Sequence, residues 1–403
     1  MNFARHLVFA LNHIGRMTFS LRRIVLRILA SSLLVLTSAG VVVMAAPPAS
    51  SGWSSSECVV VNGKCVPGTY GSYPKSVKPE NFHPGYYIMA GKNDGQYTFD
   101  KIKGNPDFVG VMKVYVWRDM ETSEGVYDFS NIENDLAYLR SIGKRLIIYF
   151  EKTEWYTPGP PRTPSYMWNN PIYGGNASYW PSGVTFYGAY QNPPGQGAWR
   201  ATIWNSNVQN RMLAIISALG KRFNGEPYIE GLNLGETSAE PGPDYSPSAL
   251  ESAFKAIALG AKNAFPGKTV ILQPNFAPFD IVQFGKWLAD NGIGIGTPDL
   301  VVNETVSEPY LIQKTHHDAV PTAPDVEWDN YERCKAPPHW AGCTAPGTYF
   351  TSAEILDWTV KNINPWYMIW DATRGEFTRD TISAVRNYGP LPAARDFYNS
   401  LKQ

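Results

Sequence analysis

The chain is poor in charge, in histidine and in cysteine, and each shortage removes a class of function. Only 17% of its 403 residues are charged, and 35 Lys plus Arg balance 35 Asp plus Glu to a net charge of zero. Such a surface carries no standing positive field for a phosphate backbone, so nucleic acid is not an expected partner. Of the 6 histidines, only His83, His316, His317 and His339 follow residue 46, and no H-x-H or H-E-x-x-H spacing occurs. That argues against a metal-dependent hydrolase. The 4 cysteines fall into two close pairs, Cys58 with Cys65 and Cys334 with Cys343, neither at C-x-x-C spacing. Zinc is therefore not expected, nor is any other metal or cofactor. A nucleotide-binding sheet is disfavoured too, because Gly91-Lys92-Asn93-Asp94-Gly95 lacks the Gly-rich phosphate turn. What the chain has in abundance is rings: 13 Trp, 23 Tyr and 18 Phe. Flat rings on a weakly charged surface suit neutral, hydroxylated ligands, since they stack on the faces of pyranoses.

Residues 1–46 read as a leader. Arg16, Arg22, Arg23 and Arg27 precede the apolar run Ile28 to Met44, and Val43-Met44-Ala45 closes it in a small-x-small cleavage pattern. Export to the periplasm or medium is the expectation, with an uncleaved N-terminal anchor as the alternative; a membrane partner is expected only in that case. Export makes disulfides the default for both local cysteine pairs, each of which closes a short Gly- or Pro-containing loop. Residues 47–82, rich in Ser, Gly, Pro and Tyr, read as a linker carrying one small disulfide loop.

From residue 83 to 403, short apolar runs alternate with helical patterns. The runs are Tyr86 to Ala90, Val109 to Val116, Arg145 to Phe150, Ile229 to Leu234, Thr269 to Gln273, Ile293 to Gly296, Ala319 to Val326 and Trp366 to Trp370. Between them, Ile132, Leu136, Leu139 and Ile142 form one helical stripe, and Val208, Met212, Ile215, Ile216, Leu219 and Phe223 another. Ser248 to Phe265, Ile281 to Asn291 and Ala353 to Ile363 continue the pattern. Eight strand-like runs interleaved with helices predict an α/β fold, a single (β/α)8 TIM barrel, expected as a monomer. Its chemistry is then expected at the C-terminal ends of the strands. The longest connection, Glu151 to Trp199 after the third run, is rich in rings, including Trp155, Trp168 and Trp180, and reads as a cleft wall for sugars or as a packed insertion.

Cleaving a glycosidic bond takes two carboxyl groups, one to protonate the departing oxygen and one to attack the anomeric carbon or activate water. The fourth run ends Gly231-Leu232-Asn233-Leu234-Gly235-Glu236, placing Glu236 just past a strand. Burial among rings would raise its pKa, as a general acid requires; a helix-capping or ion-paired Glu is the structural alternative. Candidate sugar contacts are the rings of Trp117, Trp155, Trp168, Trp180 and Trp328 and the amides of Asn233 and Asn275. Glu121 either meets sugar hydroxyls or anchors Arg118.

The stretch Trp117-Arg118-Asp119-Met120-Glu121-Thr122-Ser123-Glu124-Gly125-Val126-Tyr127-Asp128-Phe129-Ser130, followed by a helix and Gly143-Lys144, resembles the second βα unit of clan A glycoside hydrolases. Trp204 to Ser238 is similar to the helix and fourth strand that carry the clan's acid/base. The resemblance implies that Glu236 is the proton donor. It implies Glu327, in Ala323-Pro324-Asp325-Val326-Glu327-Trp328, as nucleophile, with Asp325, Asp329, Glu304 and Glu308 as rivals. It also implies Trp370 as a ring under the sugar beside the scissile bond, with core packing as the alternative. One departure is specific: the clan places Asn directly before its acid, where this chain has Gly235. Asp299, in Gly296-Thr297-Pro298-Asp299, is expected to cap the following segment. The resulting expectation is an exported glycoside hydrolase acting on a polysaccharide or oligosaccharide. A non-catalytic carbohydrate-binding barrel is the alternative, and a polysaccharide lyase ranks third.

Overall fold

The computed structural model describes residues 58–61, 64–67, 73–154, 160–168, 170–174, 189–192, 198–238, 245–302, 308–331, 333–335, 347–373 and 375–402; at 58–61, 64–67, 189–192 and 198 it describes backbone alone. Trp155, Trp180, Glu304, Cys343 and the leader lie outside the described residues. All described residues belong to one compact unit, Ser56–Gln403.

Eight parallel strands close into a barrel. They are β1 (Gly85–Ala90), β2 (Phe108–Val116), β3 (Arg145–Glu151), β4 (Ile229–Glu236), β5 (Thr269–Gln273), β6 (Gly294–Thr297), β7 (Thr322–Val326) and β8 (Tyr367–Asp371). They follow one another around the ring, and β8 pairs back with β1 from Tyr367 opposite Gly85 to Asp371 opposite Met89. Each expected run overlaps one strand. The longer helices are α1 (Ser130–Ser141), α2 (Ser206–Phe223), α3 (Pro247–Ala264), α4 (Ile281–Asp290), α5 (Glu308–His316), α6 (Ser352–Asn362), α7 (Ile382–Tyr388) and α8 (Pro392–Ser400). Their starts are set locally: Asn205, Ser246, Asp280 and Thr351 each accept a first-turn N–H, and Glu354 completes a capping box with Thr351.

The strands are apolar throughout because both of their faces are buried. Ile88, Val111, Leu146, Ile148, Leu232, Val270, Ile295, Val326, Met368 and Trp370 face the helices in one cluster. Tyr87, Met112, Ile147, Tyr149, Ile271, Ala323, Tyr367 and Ile369 fill the interior in a second, so the barrel is a packed core and not a pore. At the N-terminal end of the strands, the buried Glu230 carboxylate accepts from the His83 backbone N–H at 2.7 Å and from the Tyr367 hydroxyl at 2.5 Å, with His83 Nδ1 at 2.9 Å. The ionised form is held below the usual carboxylate range because these hydrogen bonds outweigh the cost of burial.

The segment expected to be an unpatterned linker joins this body at its end. Val77 and Phe82 are buried, and Phe82 meets Trp366, Tyr367 and Phe397 edge-on at 5.2–5.6 Å. Further upstream, Cys58–Val61 and Lys64–Pro67 pair as an antiparallel hairpin with Val60 opposite Cys65. Cys334 is disulfide-bonded. Among the described residues, no helix is long and apolar enough to cross a membrane.

Candidate active site at the barrel mouth

The end of β4 departs from regular strand geometry, and this departure places the acid. The pairing of β4 with β5 shifts between Asn233 and Glu236, and Gly235 adopts a φ of +71°, the left-handed region that favours glycine. Asn233 is buried beneath this turn; its Oδ1 accepts the Gly235 N–H at 2.8 Å and its Nδ2 lies 3.3 Å from Met112 Sδ. Asn233 therefore shapes the turn and has no face left for a sugar, which corrects its sequence-based role. Lys152, also buried, donates to the carbonyls of Leu234 at 2.9 Å and Glu236 at 3.0 Å, tying the end of β4 to the strand beside it.

The carboxyl of Glu236 accepts from Asn275 Nδ2 at 2.9 Å. Asn275 is fixed in turn by Thr237, whose hydroxyl accepts the Asn275 N–H at 2.9 Å and donates to the Asn275 carbonyl at 3.2 Å. Burial and the nearby Asp299 charge push the Glu236 pKa up to about 7, with the Asn275 hydrogen bond opposing them. Lys152, Thr153, Arg200, Trp204, Ser238, Leu250 and Phe254 line a small cleft beside this carboxyl.

Across the mouth, past β6 and β7, lies a group of acids. Single carboxylate oxygens of Asp299, Glu327 and Asp329 all fall within 4.8 Å of one another. Asn330 builds this group: its Oδ1 accepts from the backbone of both Leu300 (3.0 Å) and Glu327 (2.8 Å), while Nδ2 donates to Asp299 at 3.1 Å. Arg333 Nη2 donates to Asp299 at 2.9 Å and reaches Asp329 at 3.5 Å. Three such oxygens are the donor type a hard cation takes, yet the guanidinium already meets two of the three carboxylates. Glu327 is pushed well above the usual carboxylate range by burial first, then by Asp299 and Glu236. Asp325, buried below it, is raised likewise by burial, and Gln273 Nε2 donates to it at 2.6 Å. Asp299 raises both Glu236 and Glu327, and Glu236 adds to the shift of Glu327.

The structure brings Glu236, Asn275 and Glu327 to one mouth and adds Asp299, which the sequence reading had taken for a local cap. Trp328 follows Glu327 and is half-buried. Four other sequence candidates lie elsewhere. Trp117 and Glu121 are fully buried, Trp117 Nε1 donating to Glu121 Oε2 at 2.8 Å. Glu121 also accepts from the Gly125 N–H at 3.0 Å, from the Tyr166 hydroxyl at 3.0 Å and from Arg211. Its cation is Arg211 and not Arg118, whose guanidinium donates to the Pro161 carbonyl at 2.5 Å. Trp370 shares the outer face of β8 with Met368, is fully buried and stacks on Tyr331 at 6.2 Å, so it offers no ring to a ligand. Trp168 is half-buried and its Nε1 donates to Thr163 within its own loop at 3.0 Å.

No protein-family model matches the chain, and no curated protein matches it. Solved structures do. The catalytic domain of a β-amylase from Paenibacillus polymyxa superposes with a TM-score of 0.51 at 10% identity, covering 76% of this chain and 99% of that one. A β-galactosidase from Bacillus circulans sp. alkalophilus gives 0.49 at 10% identity over 72% of this chain and 50% of that chain. Endo-glycoceramidase II from Rhodococcus sp. gives 0.43 at 13% identity over 73% and 74%. At this level of identity the likeness to the β-amylase domain establishes the architecture alone: the chain is an eight-stranded parallel (β/α)8 barrel.

Proposed function

We propose that this chain is an exported glycoside hydrolase that cleaves a polysaccharide or oligosaccharide with Glu236 as proton donor and Glu327 as the opposing carboxyl. The observation that carries this reading is the Glu236 carboxyl at the end of β4, hydrogen-bonded by Asn275 and raised to about 7. A carboxyl with that pKa keeps its proton near neutrality and can release it to a departing glycosidic oxygen. Glu327, from β7 on the far side of the ring, then attacks the anomeric carbon or activates water, according to the gap that it leaves. Only its ionised form can do either, so its raised pKa opposes this role at low pH. Barrel-borne sugar hydrolases among the structural neighbours agree with this reading. The basic, then apolar leader and the oxidised Cys334 support export.

The test is hydrolysis of a panel of cello-, xylo-, manno- and galacto-oligosaccharides, followed by a pH profile of kcat/KM on whichever is cut. The profile should fall on its alkaline side with a midpoint near 7, as Glu236 loses its proton. Asn275→Ala removes the hydrogen bond that favours the ionised form, so it should move that limb to higher pH. A limb that stays in place in Asn275→Ala, or binding with no turnover anywhere on the panel, rules against Glu236 as the donor. The second outcome leaves a carbohydrate-binding barrel.

A further inference from the structure

The residue before the acid, Gly235, is where this chain departs from the clan's Asn, and the structure supplies a steric reason. A Cβ at 235 would lie 2.8 Å from the Tyr149 hydroxyl oxygen and 3.1 Å from its Cζ, on a backbone already at φ +71°. The Tyr149 ring cannot yield that space. It belongs to β3, paired with Asn233 of β4 on one side and Val114 of β2 on the other, and it packs in the barrel interior with Met112, Ile147 and Ile271. The phenol therefore fills the volume that a side chain at 235 would occupy, beside the backbone of the proposed proton donor.

The hydroxyl is also placed centrally. The charges of Glu151, Glu236, Glu327 and Asp325, from the ends of β3, β4 and β7, all act on it. Tyr149 is only 6% exposed, yet its hydroxyl, which takes no hydrogen-bond partner among the described residues, is not one of the buried unpartnered polar atoms and so keeps access to the mouth. Burial and the surrounding acids keep this phenol protonated across the neutral range, which makes it a donor and not a base.

We propose that Tyr149 is a further catalytic residue of this mouth, its hydroxyl donating a hydrogen bond to an oxygen of the sugar unit seated between Glu236 and Glu327. The proposal rests on the hydrolase reading above for its substrate. It accounts at once for the unpartnered donor and for the glycine beside the acid, because any larger residue at 235 would displace the phenol from the reacting centre.

Tyr149→Phe in the full-length chain removes one oxygen and keeps the ring, so the unfolding temperature should stay close to that of the parent. On a saccharide that the parent cleaves, kcat/KM should fall about 10- to 100-fold, the range for losing one hydrogen-bond donor at a reacting centre. Deoxygenated substrate analogues locate the contact: on the analogue lacking the contacted oxygen, parent and Tyr149→Phe should be equal. Rates within twofold of the parent, with the fold intact, overturn the proposal and leave the hydrolase reading standing. If the parent cleaves nothing but binds an oligosaccharide, the hydrolase reading fails while Tyr149 remains testable. A tenfold loss of affinity in Tyr149→Phe then supports the contact, and equal affinity overturns it. A parent that neither cleaves nor binds any member of the panel overturns both.

Discussion

Glu236→Gln is expected to cut hydrolysis by about three orders of magnitude, within the 10²–10⁴ range of a general acid, while making the fold more stable in alkaline solution. Gln keeps the shape of the side chain and an oxygen for Asn275, so saccharide binding should persist; it has no proton to give. The stability effect follows from the raised pKa. In the folded chain Glu236 holds its proton to about 7, whereas the unfolded chain releases it near 4.5. The folded state therefore binds more protons through that window, and stability falls as pH climbs from 4.5 to about 7. The full penalty at pH 8 is roughly 3 kcal/mol, and it disappears below pH 4. Gln carries no such penalty, and it also relieves Glu327 and Asp325, whose pKa values Glu236 helps to raise. Urea unfolding of parent and variant should give matching midpoints at pH 4 and a clear gain for Glu236→Gln at pH 8. Equal midpoints at both pH values would mean that this carboxyl is not desolvated as described. A loss of binding together with turnover would mean that its role is to hold the sugar.

A site that loses stability when it ionises is a cost retained for function. The same economy runs through the mouth: Glu236, Glu327 and Asp325 are all raised by burial, and Arg333 with Asn330 holds the acids past β6 and β7 together. Nothing comparable surrounds Glu230 at the opposite end of the barrel, where His83 and Tyr367 keep the carboxylate ionised. The contrast between the two ends matches the division of a (β/α)8 barrel into a catalytic face and a stabilising one.

The barrel was readable because strands buried on both faces must be apolar along their whole length, and runs of that kind separated by 3.6-period stripes leave few other architectures. The places of Glu236 and Asn275 at the barrel mouth were readable because the ends of parallel strands gather there. The errors came from direction. Trp370 and Ile369 are neighbours on β8, but only Ile369 points inward, so a ring at a strand end reads as a platform only if its parity matches the interior. Alternation from Tyr367 already carried that signal. Tyr149 was hidden for the converse reason, a hydroxyl inside the apolar run Leu146-Ile147-Ile148-Tyr149-Phe150 whose ring counts as core until its oxygen is located. Asp299, Asn330 and Arg333 meet through loops whose paths no periodicity describes. Trp117 and Glu121 follow a strand end, yet the short helix Trp117–Met120 buries both.

Glu121→Ala should accordingly destabilise the fold by about 3–5 kcal/mol, the cost of removing one partner of a buried ion pair. The carboxylate is fully buried and receives Trp117 Nε1, the Gly125 N–H, the Tyr166 hydroxyl and Arg211. Alanine would leave the Trp117, Gly125 and Tyr166 donors unpaired and take the nearest charge from Arg211, which keeps the Tyr166 hydroxyl at 3.0 Å, the Tyr127 hydroxyl at 3.2 Å and Glu124 at 3.8 Å. Tyr166 belongs to the connection after β3, so the same change removes one of the ties that hold that connection to the barrel. Glu121→Gln separates the structural role from a ligand-binding one. It retains one acceptor oxygen and loses the charge opposite Arg211, so its midpoint in urea should fall between those of the parent and Glu121→Ala. Its KM, measured on folded protein, should equal the parent's, because no substrate reaches a side chain with no exposed surface. A raised KM with an unchanged unfolding midpoint would place Glu121 in contact with sugar after all.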